Sequence, residues 1–240
     1  MEIEITEQDG LRLLRFGTPW CQGAMRLDAP DQLELAYAVR MFAWLLFHDP
    51  AALPGLHLAT LGLGAGSLTK FAHGVLGVRA TAVEIDARVI DACRRHFMLP
   101  AEGERLQVVH ADAAVFVADS RHRRSFDVLQ VDAYDASVEK PALDSEAFYA
   151  DCRQALREDG TLVANLMGAG VDVRASVARI RRGLHPQALW QLPPTASGNV
   201  VVVAHRGGVP SEEVLVARAA EIDRRWDLPG PGWLASARRT

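Results

Sequence analysis

Cysteine is scarce in this chain. Cys21, Cys93 and Cys152 are widely spaced and form no Cys-x-x-Cys pair, which excludes a disulfide framework and a thiolate zinc site and points to reduced thiols in a cytoplasmic protein. Histidine is more frequent, but the eight residues are scattered without ligand spacing, so no metal is expected. Long apolar runs are missing too. The most apolar stretch, Leu35 to Phe47, is too short to span a bilayer and contains Arg40, and no charged start followed by an apolar signal region is present, so no membrane contact is expected. An excess of positive charge is also lacking: 26 Lys and Arg face 30 Asp and Glu, a net charge of −4. That leaves no electrostatic footprint for nucleic acid, and the clusters Arg121, Arg123, Arg124 and Arg179, Arg181, Arg182 read as solvated faces.

What is there suits one large globular domain with a small appendage: 240 residues, 49% of them apolar and 23% charged, enough for a substantial core and too apolar for long disorder. Two β-like segments, Glu2–Thr6 and Leu11–Phe16, flank Gln8-Asp9-Gly10, and Asp-Gly between such runs signals a hairpin. Residues 1–19 are therefore expected as an N-terminal β-hairpin and 20–240 as the main domain. Thr18 to Gly23 reads as a loop. A helix is expected to start at Asp28–Asp31 and to run from about Gln32 to Phe47; being apolar on most faces, it either covers a sheet or forms the contact of a homodimer.

From Leu56 onward strands and helices alternate. Strands are expected up to Leu61 and at Ala80–Val83, Leu106–His110, Phe126–Val131, Thr161–Leu166 and Asn199–Ala204. Helices are expected up to about Leu76 and at Ala87–Phe97, Ala113–Ala118, Ser145–Leu156, Ser176–Leu184 and Ser211–Trp226. Leu228-Pro229-Gly230-Pro231-Gly232 is expected to end regular structure. Such alternation makes an α/β fold, a mostly parallel, doubly wound sheet whose ligands bind at the carboxyl ends of its strands.

The run Leu58-Ala59-Thr60-Leu61-Gly62-Leu63-Gly64-Ala65-Gly66-Ser67 breaks a strand into alternate glycines and then resumes with helical spacing. Glycines let a backbone turn sharply and approach a ligand closely. Glu84 ends the next strand 18 residues beyond Gly66, near the spacing of a ribose-binding acid, while Asp86 caps the following helix. Asp112, Asp132 and Asp135 stand at two further strand tips. Asp132 and Asp135 are either turn-forming aspartates or, beside a sulfonium, acids that orient an amine and take its proton as it attacks. An amine with a pKa of about 10 needs such an acceptor at neutral pH.

As an ordered set, Gly62–Ser67, Val83-Glu84-Ile85-Asp86, Ala111-Asp112-Ala113, Val131-Asp132-Ala133-Tyr134-Asp135 and Ala147-Phe148-Tyr149, with Gln22 and Tyr37 upstream, resemble the spermidine synthase (polyamine aminopropyltransferase) family over about residues 20 to 205. The resemblance implies a class I methyltransferase-like Rossmann fold and a transferase of polyamine biosynthesis. Such an enzyme moves an aminopropyl group from decarboxylated S-adenosylmethionine to a diamine such as putrescine, leaving methylthioadenosine. It implies a nucleoside site built from Gln22, Gly62, Gly64, Gly66, Glu84, Asp112 and Ala113, with Glu84 on the ribose and Asp112 at the adenine. Asp132 would be the proton acceptor, with Asp135 and Tyr37 on the amine.

The chain departs from the family pattern at three places. Ala65 stands where an Asp of the glycine turn pairs with the aminopropyl ammonium, Ala38 and Val39 follow Tyr37 without an acid, and the N-terminal β unit is reduced. Two other readings stay open: a methyltransferase using intact S-adenosylmethionine, which Ala65 would admit, and a non-catalytic nucleoside-binding homologue.

Overall fold

A computed structural model describes residues 2–17, 21–133, 143–167 and 172–239. The Asp9-Gly10 turn joins β1 (Glu4–Gln8) to β2 (Leu11–Arg15), with Gln8 opposite Leu11. Both turn residues have positive φ, the backbone that Asp-Gly favours because it matches the twist of the flanking strands. The hairpin expected over residues 1–19 does not stand alone. A third strand, β3 (Cys21–Arg26), pairs antiparallel with β2, so the small sheet takes in Cys21 to Gly23, which read as loop in the sequence. Among the described residues its only strand partner is β2, and the local sequence around Gly23 gives no sign of that pairing.

The main sheet comprises β4 (His57–Leu61), β5 (Arg79–Glu84), β6 (Leu106–His110), β7 (Phe126–Val131), β8 (Leu156–Leu166), β9 (Ala188–Gln191), β10 (Val200–His205) and β11 (Arg238–Arg239). Their spatial order is β6-β5-β4-β7-β8-β10-β9-β11. Strands β4 to β8 are mutually parallel, and β10 enters antiparallel to β8 and β9. The chain builds outward from β4 to β6 and then returns to lay β7 on the other side of β4. That reversal opens a crevice above the carboxyl ends of β4 and β7.

Strand residues alternate between two cores, as the two-residue period requires. Leu58, Val128, Val201 and Val203 face one layer, which holds residues 41–47 and the helices α7 (Glu212–Trp226) and α8 (Gly230–Ser236). Ala59, Leu61, Leu129 and Val202 face the other, which holds α4 (Ala113–Ala118), α5 (Glu146–Ala155) and α6 (Val173–Leu184). A third cluster joins the small sheet, through Leu14 and Met25, to Ile90 and Cys93 of α3 (Ala87–His96). The architecture is thus the expected doubly wound, mostly parallel Rossmann sheet with a small antiparallel unit at its amino-terminal end.

Three expectations are corrected. The long helix over 32–47 is only a short α1 (Ala36–Arg40), followed by a 3₁₀ segment, Ala43–Phe47. Every residue from Met41 to Phe47 is buried, so no polar face fixed a helical period and packing set the backbone instead: Phe42 meets Phe71 and Phe47 meets Trp190, each with ring centroids 4.7 Å apart. The segment covers the sheet of its own chain. Regular structure also continues past Leu228. Pro229 and Pro231 lie at the start of α8, where proline costs no hydrogen bond, and a Cβ on Gly230 would lie 2.4 Å from the Ala219 carbonyl oxygen, so glycine lets α8 pack on α7. Finally, β9 is a strand where the sequence carries no strand signal, and β8 begins at Leu156 rather than Thr161.

Candidate active site

Strand β4 ends at Leu61, and the glycine turn leads into the short helix α2 (Ser67–Lys70). Gly62 has φ +100°, and a Cβ there would lie 2.3 Å from the Asp132 carbonyl oxygen. Only glycine lets the tips of β4 and β7 come this close. The contact is fixed by the Asp132 amide, which donates to the Leu61 carbonyl at 2.9 Å. Gly66 plays a different part. It caps α2 with positive φ, and a Cβ would meet the Cys93 sulfur at 2.8 Å, so it seats the turn on α3.

A cavity of about 300 Å³ opens at these strand tips. The structure brings Gln22, Tyr37, Gly62, Gly64, Glu84, Asp112, Ala113 and Asp132 to its wall. Gly66 is not among its lining residues, and Asp135 lies outside the described residues. A much smaller space, about 20 Å³, adjoins it between β3, α1 and the glycine turn. Ala65 is buried there, and a Cβ on Gly23 would lie 2.5 Å from the Ala65 methyl. The position that carries an acid in the sequence pattern is here packed directly on β3.

Each acid is oriented by donors of known identity. Glu84 accepts the Leu63 amide on Oε2 at 2.9 Å and the Asp86 amide on Oε1 at 3.0 Å. Both oxygens are tied to the backbone, and their remaining lone pairs are free for hydroxyl donors. Asp112 accepts the Ala114 and Val115 amides on Oδ1, at 2.7 and 3.1 Å, and so caps α4; Oδ2 takes no part in that cap. Asp86 caps α3 through the Arg88 amide, as its position suggests.

Asp132, like Glu84, is partly buried, whereas Asp112 is exposed. Asn165 Nδ2 donates to Asp132 Oδ1 at 2.8 Å, and the Tyr37 hydroxyl is a second partner. Burial pushes the carboxyl pKa up, while both hydrogen bonds act in the opposite sense by favouring the anion. Gln22 contributes a buried Nε2 with no protein partner among the described residues, a donor left for a ligand because such a group is costly to bury unmade. No Lys, Arg or His lines the cavity among the described residues. Its three carboxylates therefore suit a ligand carrying positive charge.

Asn165 and Asn199 also line the cavity, and sequence reasoning missed them. The available signal was a lone amide in the apolar run Leu162-Val163-Ala164-Asn165-Leu166, since a polar side chain inside a buried strand must find partners.

Residues 68–168 match the model of the spermine/spermidine synthase domain. The polyamine aminopropyltransferase of Neisseria meningitidis serogroup A is 35% identical over 230 residues, an alignment covering 95% of this chain and 85% of that protein. Among solved structures, a probable spermidine synthase from Corynebacterium glutamicum superposes with a TM-score of 0.72 at 22% identity, covering 99% of this chain and 86% of that one. Human methyltransferase-like protein 13, solved with SAH, gives a TM-score of 0.71 at 20% identity, covering 81% and 93%. The fold is thus shared with both classes of enzyme, whereas the sequence match is to one: the chain belongs to the polyamine aminopropyltransferase family of transferases.

Proposed function

We propose that this chain transfers the aminopropyl group of decarboxylated S-adenosylmethionine to a diamine such as putrescine, with Asp132 as the proton acceptor. The observation that carries the proposal is the partly buried Asp132 carboxylate, held between Asn165 and Tyr37 in a cavity whose described lining has acids and no cation. Glu84 would take the ribose hydroxyls, Asp112 and Ala113 the adenine end, and Gln22 the nucleoside. Asp135 would hold the amine tail together with Tyr37.

In the reaction the amine nitrogen attacks the carbon beside the sulfonium. The carbon–sulfur bond breaks with its electrons passing to sulfur, methylthioadenosine leaves, and the amine proton passes to Asp132. Because the displaced group departs neutral, most of the rate enhancement comes from holding nitrogen, carbon and sulfur in line beside a negative charge. The three free cysteines suit a reducing compartment and support a cytoplasmic setting; no helix among the described residues is long and apolar enough to cross a membrane.

One observation favours a second reading. Ala65, packed on Gly23, offers no carboxylate to repel the carboxyl group of intact S-adenosylmethionine, and a methyltransferase reaction would then use the same cavity. Calorimetric titration with S-adenosylmethionine, its decarboxylated form and methylthioadenosine separates the two. Tight binding of the last two with weak binding of the first supports aminopropyl transfer, whereas preference for the carboxylated form overturns it in favour of methyl transfer.

A further inference from the structure

Behind Asp132 runs a chain of side-chain hydrogen bonds that crosses three segments of the protein. Asn165, near the carboxyl end of β8, donates from Nδ2 to Asp132 Oδ1 at 2.8 Å. Asn199, just before β10, donates from Nδ2 to Asn165 Oδ1 at 3.0 Å. Asn199 Oδ1 in turn accepts the Ser197 hydroxyl at 2.8 Å and the Thr195 hydroxyl at 3.2 Å. The turn that presents these hydroxyls is closed by its own backbone: the Thr195 amide donates to the Asn199 carbonyl, and the Asn199 amide to Thr195 Oγ1. Asn165, Thr195 and Asn199 are buried, while Ser197 reaches the surface at the cavity wall.

Chemistry fixes the direction of this chain. An ionised carboxylate only accepts, so the atom of Asn165 that meets Asp132 must be the nitrogen. Asn165 then turns its oxygen away, and that oxygen accepts from the nitrogen of Asn199. The oxygen of Asn199 is left facing two hydroxyls, which can donate. Every link agrees with the next: reversing Asn165 would set its oxygen against the carboxylate and its nitrogen against the Asn199 nitrogen, and reversing Asn199 would set its oxygen against that of Asn165.

We propose that Asn199, acting through Asn165, is a positioning residue for the transfer reaction: the amide pair holds a donor, and never an acceptor, against the Asp132 carboxylate. The inference rests on the reading of Asp132 as proton acceptor. Its consequence is that Asp132 stays anionic and fixed in rotation although it is enclosed, and that the 195–199 turn, distant in sequence, sets the protonation of the base. The other titratable groups lining the cavity among the described residues are Cys21, Tyr37, Glu84 and Asp112. Of these only Tyr37 is a hydrogen-bonding partner of Asp132.

The test reads the carboxyl group directly. In ligand-free protein labelled with ¹³C at the aspartate carboxyl carbons, the Asp132 resonance is identified by its loss in Asp132→Asn, and its titration midpoint is followed in the variants. Asn165→Leu should raise the midpoint by about one to two pH units, as expected for losing a donor to a buried anion. Asn199→Leu should raise it by roughly half a unit to one unit, since the Asn165 oxygen then loses the donor that sets its orientation. In the second variant the acid limb of kcat should move with the midpoint while affinity for methylthioadenosine stays unchanged. A residue that only stabilised the fold would move neither the midpoint nor the limb. If Asn199→Leu does not fold, Thr195→Val and the exposed Ser197→Ala carry the same test, with a smaller rise expected in each. An unchanged midpoint in the folded variants overturns the proposal. Should the midpoint move while the wild-type protein transfers no aminopropyl group, the relay stands and the functional reading falls. An active wild type with an immobile midpoint means the reverse: the functional reading stands and the relay falls.

Discussion

Strand β8 carries two buried polar clusters, one at its midpoint and one toward its carboxyl end, and the two are built to opposite purposes. At its midpoint Thr161 is bracketed by two histidines: His48 Nε2 lies 2.9 Å from its hydroxyl and His205 Nδ1 2.8 Å. One hydroxyl proton serves two ring nitrogens, so one ring accepts from Thr161 and the other donates to it, which both can do while neutral. Burial pushes their pKa values down, to about 3 for His48 and about 4 for His205, and Phe47 stacks on the His205 ring with centroids 4.8 Å apart. Toward its carboxyl end Asn165 holds the Asp132 carboxyl group against a cavity. The midpoint cluster is enclosed by aromatics, and each of its two rings has Thr161 as a partner. The other carries an acid, held by protein donors and open to the cavity. A buried polar group marks a functional site when part of its hydrogen-bonding capacity is left facing a cavity, and burial alone does not distinguish the two.

If that contrast is correct, the largest effect comes from removing the charge at the open end. Asp132→Asn should lower turnover by roughly 10²- to 10⁴-fold, the usual range for loss of a general base, while methylthioadenosine binding measured by calorimetry is largely kept. Full activity in this variant would take Asp132 out of the reaction. Glu84→Ala should weaken S-adenosylmethionine, its decarboxylated form and methylthioadenosine alike, by about 10- to 100-fold each, as expected for losing charge-assisted hydrogen bonds. Unequal losses would place the ribose elsewhere.

At the closed cluster the effects should fall on stability. Thr161→Val leaves two ring nitrogens without partners and should cost about 1–3 kcal/mol in denaturant unfolding, with nucleoside affinity unchanged; a loss of affinity instead would mean that the two clusters are coupled through β8. The pH dependence is smaller and has a definite sign. His48 and His205 resist protonation in the folded protein, so the unfolded chain binds more protons between about pH 4 and the unperturbed histidine pKa of about 6.5. Stability should be constant with respect to these groups above that window and fall as pH drops through it. Replacing His48 with Phe should flatten the slope of melting temperature against pH there, and an unaltered slope would remove His48 from the acid response.

The two clusters were also unequally legible. The tips of β4, β5, β6 and β7 were readable because each is a local pattern: an apolar run followed by glycines or an acid. The strands Leu106–His110 and Phe126–Val131 and the helix Ala113–Ala118 lie where the sequence places them. The segment 41–47 misled because a run apolar on every side carries no period, and Cys21–Arg26 was hidden because it is a strand only by virtue of its partner β2. Within the site, Glu84 and Asp112 announced themselves by position, whereas Asn165 and Asn199 did not, since each acquires its role from the other.

The sequence by itself determined the alternation of strands and helices from β4 to β8, the glycine turn and the acids at successive strand tips, because backbone φ preferences and side-chain alternation act over a few residues. Tertiary structure alone decided that Tyr37 and Asn165 meet at Asp132, that Gly62 admits the β7 backbone, and that Asn199 turns the Asn165 amide. Those contacts join α1, β4, β7, β8 and the turn before β10, segments whose adjacency follows from sheet order. A hydrogen bond between them depends on distances that no local spacing encodes.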